Sequence, residues 1–219
     1  MAIKAVIFDM DGVIINSEEL WDVVMIQLLE KYGAKHNQET KDVCMGKSMH
    51  EAAVVIKEMH NLNVDTNAFS EEKQNIALNL YNDKLDFMPG FLSLFESLKN
   101  RRVKMCVATG SDKILMDAVD KKLNITDLFY GNVIFNQPHI KSKPAPDLFL
   151  AAASKLGVKP EECVVIEDSP LGVEGALAAG MKCVGLVGST TAENLKKADL
   201  IINNLEEINH SVIGLLGLI

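Results

Sequence analysis

Short, nearly continuous apolar runs alternate along the chain with longer stretches whose apolar residues recur at helical spacing. The runs are Ala5-Val6-Ile7-Phe8, 103–108, Val133-Ile134-Phe135, Cys163-Val164-Val165-Ile166, 183–187 and Leu200-Ile201-Ile202. Their Val/Ile character, with no polar alternation, predicts strands buried on both faces, as in a parallel sheet. Between them, 91–100 carries apolar residues at 91, 92, 94, 95 and 98, and 114–123 and 148–156 read the same way. The segment 173–179 is small and apolar and ends at Gly180, a residue suited to closing a helix. Strand–helix alternation of this kind predicts a doubly wound α/β fold.

From about Ser17 to about Phe87 the alternation stops. Helical spacing is found over 19–32, 49–59 and 71–85, and Pro89-Gly90 then punctuates the return to the strand–helix pattern. The expectation is an α/β core made of 1–16 and 88–219, with a helical cap domain, 17–87, inserted after the first strand. The sequence shows no repeat, low-complexity segment or charge block.

Composition narrows the choice of partner. The chain has 219 residues, 48% of them hydrophobic and 24% charged, which is enough for a sizeable core. A net charge of -8 argues against a nucleic-acid backbone as partner but leaves small anionic ligands open. Cys44, Cys106, Cys163 and Cys183 form no C-x-x-C pair and sit among apolar residues, so they read as buried, reduced thiols. Met1-Ala2-Ile3-Lys4 carries no export pattern and no run reaches membrane-span length. A soluble, cytoplasmic, monomeric protein is expected.

Ligands of open parallel sheets bind beyond the carboxyl ends of the strands, so the residues following each run are the candidates for chemistry. The first run leads into Asp9-Met10-Asp11-Gly12, whose two carboxylates fall on one side of extended chain. Such a pair is costly without a cation or proton between its members, although Asp and Gly also populate ordinary turns. The second run leads into Thr109-Gly110-Ser111, a hydroxyl and free N–H groups suited to phosphate or to a plain helix cap. Lys143-Pro144 puts a basic residue on a stiff loop before a helix, where it can hold a phosphoryl group or simply face solvent. Glu167-Asp168-Ser169 is a second acidic pair at a strand end, able to cap a helix or, with Asp9 and Asp11, to form an oxygen-rich Mg²⁺ site. Each motif has an ordinary reading alone, but their joint placement at strand ends favours a phosphate site.

These motifs, in this order, resemble those of the haloacid dehalogenase superfamily. The stretch Glu167-Asp168-Ser169-Pro170-x-Gly172-Val173-Glu174-x-x-x-x-Ala179-Gly180 is similar to its branch related to β-phosphoglucomutase. The resemblance spans nearly the whole chain, and the helical insertion resembles the family's cap. It implies that Asp9 attacks phosphorus to form an aspartyl-phosphate, and that Asp11 protonates the leaving oxygen and then deprotonates water. It further implies that Thr109 and Lys143 bind the phosphoryl oxygens, beside Gly110 and Ser111, which the residue pattern already offers for phosphate. Mg²⁺ would be held by Asp9, the carbonyl of Asp11, and Asp168, with Glu167 contributing.

Position 16 is Asn where relatives commonly have Asp, and Asn16 is expected to cap the following helix. Position 21 is Trp, where the mutases of the branch carry a proton-shuttling His. Indole has one N–H and no basic nitrogen, which points away from a mutase and towards a sugar-phosphate phosphatase. Trp21 reads equally well as cap core or as a substrate contact. Met45-Gly46-Lys47-Ser48 is expected to open a helix facing the site, with Lys47 either contacting substrate or facing solvent. His36, His50, His60, His139 and His210 show no ligand spacing and read as surface or loop residues. The expected function is hydrolysis of a small phosphomonoester, a phosphosugar or related metabolite; the alternatives are a hexose-phosphate mutase and a non-catalytic phosphate-binding module.

Overall fold

A computed structural model describes residues 2–45, 47–208 and 217. Gly46 and His210 therefore lie outside the described residues. The strands are β1 (Ala5–Phe8), β2 (Lys104–Ala108), β3 (Val133–Ile134), β4 (Cys163–Glu167), β5 (Lys182–Leu186) and β6 (Leu200–Ile202). They form one parallel sheet in the order β3-β2-β1-β4-β5-β6. The helices are α1 (Glu18–Lys31), α2 (Gln38–Cys44), α3 (Met49–Met59), α4 (Thr66–Lys84), α5 (Phe91–Asn100), α6 (Lys113–Leu123), α7 (Ile125–Leu128), α8 (Asp147–Leu156) and α9 (Pro170–Ala178). No helix among the described residues is long and apolar enough to cross a membrane.

The doubly wound arrangement follows from what each sheet face buries. Alternate residues of β1 point to opposite faces. Val6 and Phe8 join one core with α5, and Ala5 and Ile7 join the other with α8 and α9. Phe8 is fully buried and meets Phe91 and Phe129 edge to face at 5.7 and 5.8 Å. Phe8→Ala is expected to lower the unfolding free energy by about 3–5 kcal/mol. Urea titration reads this, and a loss below about 1 kcal/mol would show that the aromatic cluster collapses around the gap.

Helices α1–α4 lie between β1 and α5 in sequence and bury a core of their own, which includes Met25, Leu28, Ala53, Ile56 and Phe69. The chain leaves the sheet and returns through two paired connections. Met88 N–H donates to Ile14 C=O at 2.8 Å, and Asn16 N–H donates to Asp86 C=O at 3.0 Å. Asn16 does not cap α1 as the sequence suggests. Ser17 holds that position with no side-chain cap bond, and Asn16 Oδ1 accepts from Asp86 N–H at 2.8 Å, tying the two connections together. Ser48 caps α3 through a reciprocal box with Glu51. Two further helices were not expected from the sequence, α2 and the short α7, and α4 begins at Thr66 rather than near 71.

Candidate active site

The strand order reverses direction between β1 and β4, so their carboxyl ends mark the switch point at which open parallel sheets bind ligands. Asp9 leaves β1 there, and Glu167 and Asp168 leave β4 beside it. Asp9, Glu167 and Asp168 offer carboxylate oxygens that all lie within 4.8 Å of one another, and all three residues are buried. Gly12 makes this approach feasible. Its φ of 73° is left-handed, and a Cβ there would sit 2.0 Å from Asp168 Oδ2. Gly172 does the same for Glu167, since a Cβ would fall 1.8 Å from its Oε1.

Lys143 enters the cluster from the loop before α8 and is paired with both Asp9 Oδ1 and Glu167 Oε1. The other oxygen of Glu167 accepts from the N–H and hydroxyl of Ser169 at 2.8 and 2.9 Å. Burial pushes the Asp9 carboxyl up to about 8, against the pull of the Lys143 ammonium. Burial works against the charge of Lys143, yet the Asp9 and Glu167 carboxylates hold it above the ordinary lysine range. Asp168 is raised well above the carboxylate range by burial and then by Glu18, Glu167 and Asp9, and its Oδ2 has no hydrogen-bond partner. A buried, unpartnered carboxylate oxygen beside two more carboxylates lacks positive charge, and hard oxygen donors suit a small divalent cation. The residues present therefore fit a divalent metal.

Asp11 stands outside this cluster. Its Oδ1 accepts from Ser17 Oγ at 2.7 Å, Trp21 Nε1 at 3.3 Å and Tyr81 OH at 3.0 Å, and its Oδ2 accepts from Ser111 Oγ at 3.0 Å. Three of these donors come from the helical insertion or its entry and one from the loop after β2. Thr109, buried at the end of β2, accepts the Ser111 N–H on its own Oγ1 at 3.0 Å, which leaves the Thr109 hydroxyl proton free to donate. Among the described residues the Gly110 N–H has no acceptor.

Asp9, Asp11, Trp21, Lys47, Thr109, Gly110, Ser111, Lys143 and Asp168 all line one cleft between the sheet edge and the insertion. Glu167, fully buried, lies behind it. Trp21 is half-buried and packs edge to face on Tyr81 at 6.0 Å, so it is core and site at once. Lys47 is half-buried on the cleft wall rather than a plain surface lysine. His36 is a loop residue but not a surface one. It lines the cleft, its Nε2 bonds Asp22 Oδ1 at 3.0 Å, and its Nδ1 is buried without a partner. Sequence reasoning also missed Ser17, Tyr81, Lys41 and Lys73. Only Ser17, next to the first motif, carried a local signal.

The family model for haloacid dehalogenase-like hydrolases matches residues 3–180. The chain belongs to this family. It is 34% identical over 202 residues to Protein SUPPRESSOR OF QUENCHING 1 of Arabidopsis thaliana, covering 90% of this chain and 19% of that protein, so the chain spans about a fifth of that relative. It is 32% identical over 179 residues to fructose-1-phosphate phosphatase YqaB of Escherichia coli, covering 81% of this chain and 93% of that one. The crystal structure of β-phosphoglucomutase from Clostridium difficile is similar with a TM-score of 0.83 and 28% identity, covering 98% of this chain and 97% of that one. In this haloacid dehalogenase-like hydrolase the Asp9, Thr109 and Glu167-Asp168 segments lie at the carboxyl ends of β1, β2 and β4, and Lys143 reaches the acidic cluster from the loop before α8.

Proposed function

We propose that the chain is a Mg²⁺-dependent phosphatase of a small phosphomonoester, a phosphosugar or related metabolite, working through an aspartyl-phosphate on Asp9. The observation that carries this reading is the separation of two carboxylates only two residues apart. Asp9 lies in the buried acidic cluster against Lys143. Asp11 lines the same cleft outside that cluster, held by four neutral donors. Lys143 and a cation in the cluster would favour the ionised Asp9 that a nucleophile must be, and Asp11, away from both, is placed to carry the proton.

In the first step an Asp9 oxygen forms a bond to phosphorus as the ester P–O bond breaks, and Asp11 hands a proton to the departing oxygen. The Thr109 hydroxyl, the Gly110 N–H and the Lys143 ammonium receive the phosphoryl oxygens. In the second step Asp11 takes a proton from the water that attacks phosphorus, which releases phosphate and restores Asp9. Asp9, Asp168 and the carbonyl of Asp11 would hold Mg²⁺, with Glu167 adding charge and anchoring Lys143; the cation would offset negative charge on the phosphoryl oxygens. Residues 17–87 act as a cap that excludes water during attack. Gln74 of α4 donates to Asp112 Oδ2 at 2.6 Å, which ties the insertion to the sheet side.

Water is the final acceptor in this reading because Trp21 presents Asp11 with an N–H and no basic nitrogen. The phosphatase named among the relatives supports the same choice. Trp21→Phe removes one of four donors to Asp11 and is expected to lower kcat/KM by about 3- to 10-fold. Steady-state kinetics read this, and an unchanged kcat/KM would remove Trp21 from the account of Asp11. The likeness to β-phosphoglucomutase favours a second reading, a hexose-phosphate mutase. Phosphorus NMR of β-glucose 1-phosphate with the enzyme and Mg²⁺ decides between them. Free phosphate without glucose 6-phosphate supports the phosphatase, and accumulation of glucose 6-phosphate overturns it.

A further inference from the structure

Among the described residues one cation in the cleft is both buried and without a carboxylate partner. Lys73 of α4 is 6% exposed, its ammonium lies 5.0 Å from the Trp21 ring centroid, and it lines the cleft. Of the other cleft lysines, Lys143 pairs with Asp9 and Glu167, and Lys41 pairs with Asp22 at 2.9 Å and Glu18 at 3.4 Å, while Lys47 forms no ion pair with a described residue but is only half-buried. Among the described residues Lys73 has no carboxylate within salt-bridge distance, and burial holds its pKa below the ordinary lysine value. Its one titratable neighbour is Cys44, whose own burial raises its pKa and keeps it a neutral thiol.

A buried ammonium without a counter-charge is costly to the fold and is retained most readily where a ligand supplies the missing anion. Trp21 bridges the two groups: its Nε1 lies 3.3 Å from Asp11 Oδ1 and its ring centroid 5.0 Å from the Lys73 ammonium. A compact substrate with its leaving oxygen at Asp11 would reach Lys73 with its far end. Cys44 lies near Lys73, and Met25, Met45 and Met49 add apolar surface to the same cleft. Apolar surface beside an ammonium strengthens a charge–charge contact. We propose that Lys73 receives a second anionic group on the substrate, a carboxylate or a second phosphate, and so selects compact phosphomonoesters that carry one. The proposal rests on the phosphatase reading for the orientation of the substrate.

The test uses binding, so that it is independent of turnover. Two matched pairs are titrated calorimetrically into Asp9→Asn protein with Mg²⁺: 3-phosphoglycerate against glycerol 3-phosphate, and fructose 1,6-bisphosphate against fructose 1-phosphate. The acidic member of at least one pair is expected to bind about tenfold or more tightly than its neutral partner. Adding Lys73→Met or Lys73→Gln is expected to erase that advantage while leaving the neutral member within about threefold, and Lys73→Arg to retain most of it. A preference unchanged by either neutral substitution, or no preference for the acidic member of either pair, overturns the proposal. Thermal melts of the neutral variants, expected no lower than the parent, show that the comparison is between folded proteins. Phosphate release from an aryl phosphate by the wild-type chain tests the phosphatase reading separately.

Discussion

Asp9→Asn is expected to reduce kcat at least about 10⁴-fold on any phosphomonoester the chain hydrolyses. The amide keeps the shape of the carboxyl but is a poor nucleophile towards phosphorus. The fold should survive, because Lys143 keeps its second partner, Glu167, and the Glu167–Ser169 contacts do not involve Asp9. Steady-state kinetics and a thermal melt on the same preparation separate the two effects. Loss of activity together with loss of the folding transition would assign Asp9 to structure. Retained activity would place the nucleophile elsewhere.

The second large effect is metal dependence. Chelation is expected to lower turnover by about 10³-fold, restored by Mg²⁺ and not by Na⁺. Asp168 is a buried carboxylate whose Oδ2 is without a partner and whose proton affinity is raised by burial and by three acidic neighbours. A divalent cation there relieves the repulsion, so Mg²⁺ should also stabilise the fold by binding the native state alone. The melting temperature should rise with Mg²⁺ concentration in the wild-type chain and stay flat in Asp168→Asn. In chelator Asp168→Asn should melt above the wild type, because burial and three acidic neighbours make this carboxyl costly to ionise in the native state and the amide carries no such cost. A Mg²⁺-induced rise of equal size in both proteins would place the cation away from Asp168.

The sheet was legible because its inner strands are buried on both faces, while the edge strands β3 and β6 are mostly half-buried. Runs such as Cys163-Val164-Val165-Ile166 cannot be mistaken for half-exposed strands or amphipathic helices. The motifs at Asp9, Thr109 and Glu167 were legible because each stands at the end of a strand, so local order in the sequence becomes proximity at the sheet's carboxyl edge, whereas Lys143 comes from the loop before α8. The insertion was read less well, for equally physical reasons. Helix α2, Gln-Glu-Thr-Lys-Asp-Val-Cys, buries only Thr40 and so carries no apolar period. The start of α4 offers one buried apolar residue, Phe69, before the polar run 70–74, and is capped by Asp65, whose carboxylate accepts from Asn67 and Ala68 N–H. Lys73 sits among Glu71, Glu72 and Gln74 and reads as a solvated face, yet tertiary packing turns it inward against Trp21. Tyr81 reaches Asp11 across 70 residues of sequence, a contact that no local spacing could announce.

The claim that Asp9 takes the phosphoryl group is tested most directly by rapid acid quench of the wild-type chain with a radiolabelled phosphomonoester and Mg²⁺, followed by peptide mapping. One hydroxylamine-labile phosphoryl group per chain, on the peptide containing Asp9 and absent from Asp9→Asn, is the expected result. Label on another residue, or label on Asp9→Asn equal to that on the wild type, would contradict it.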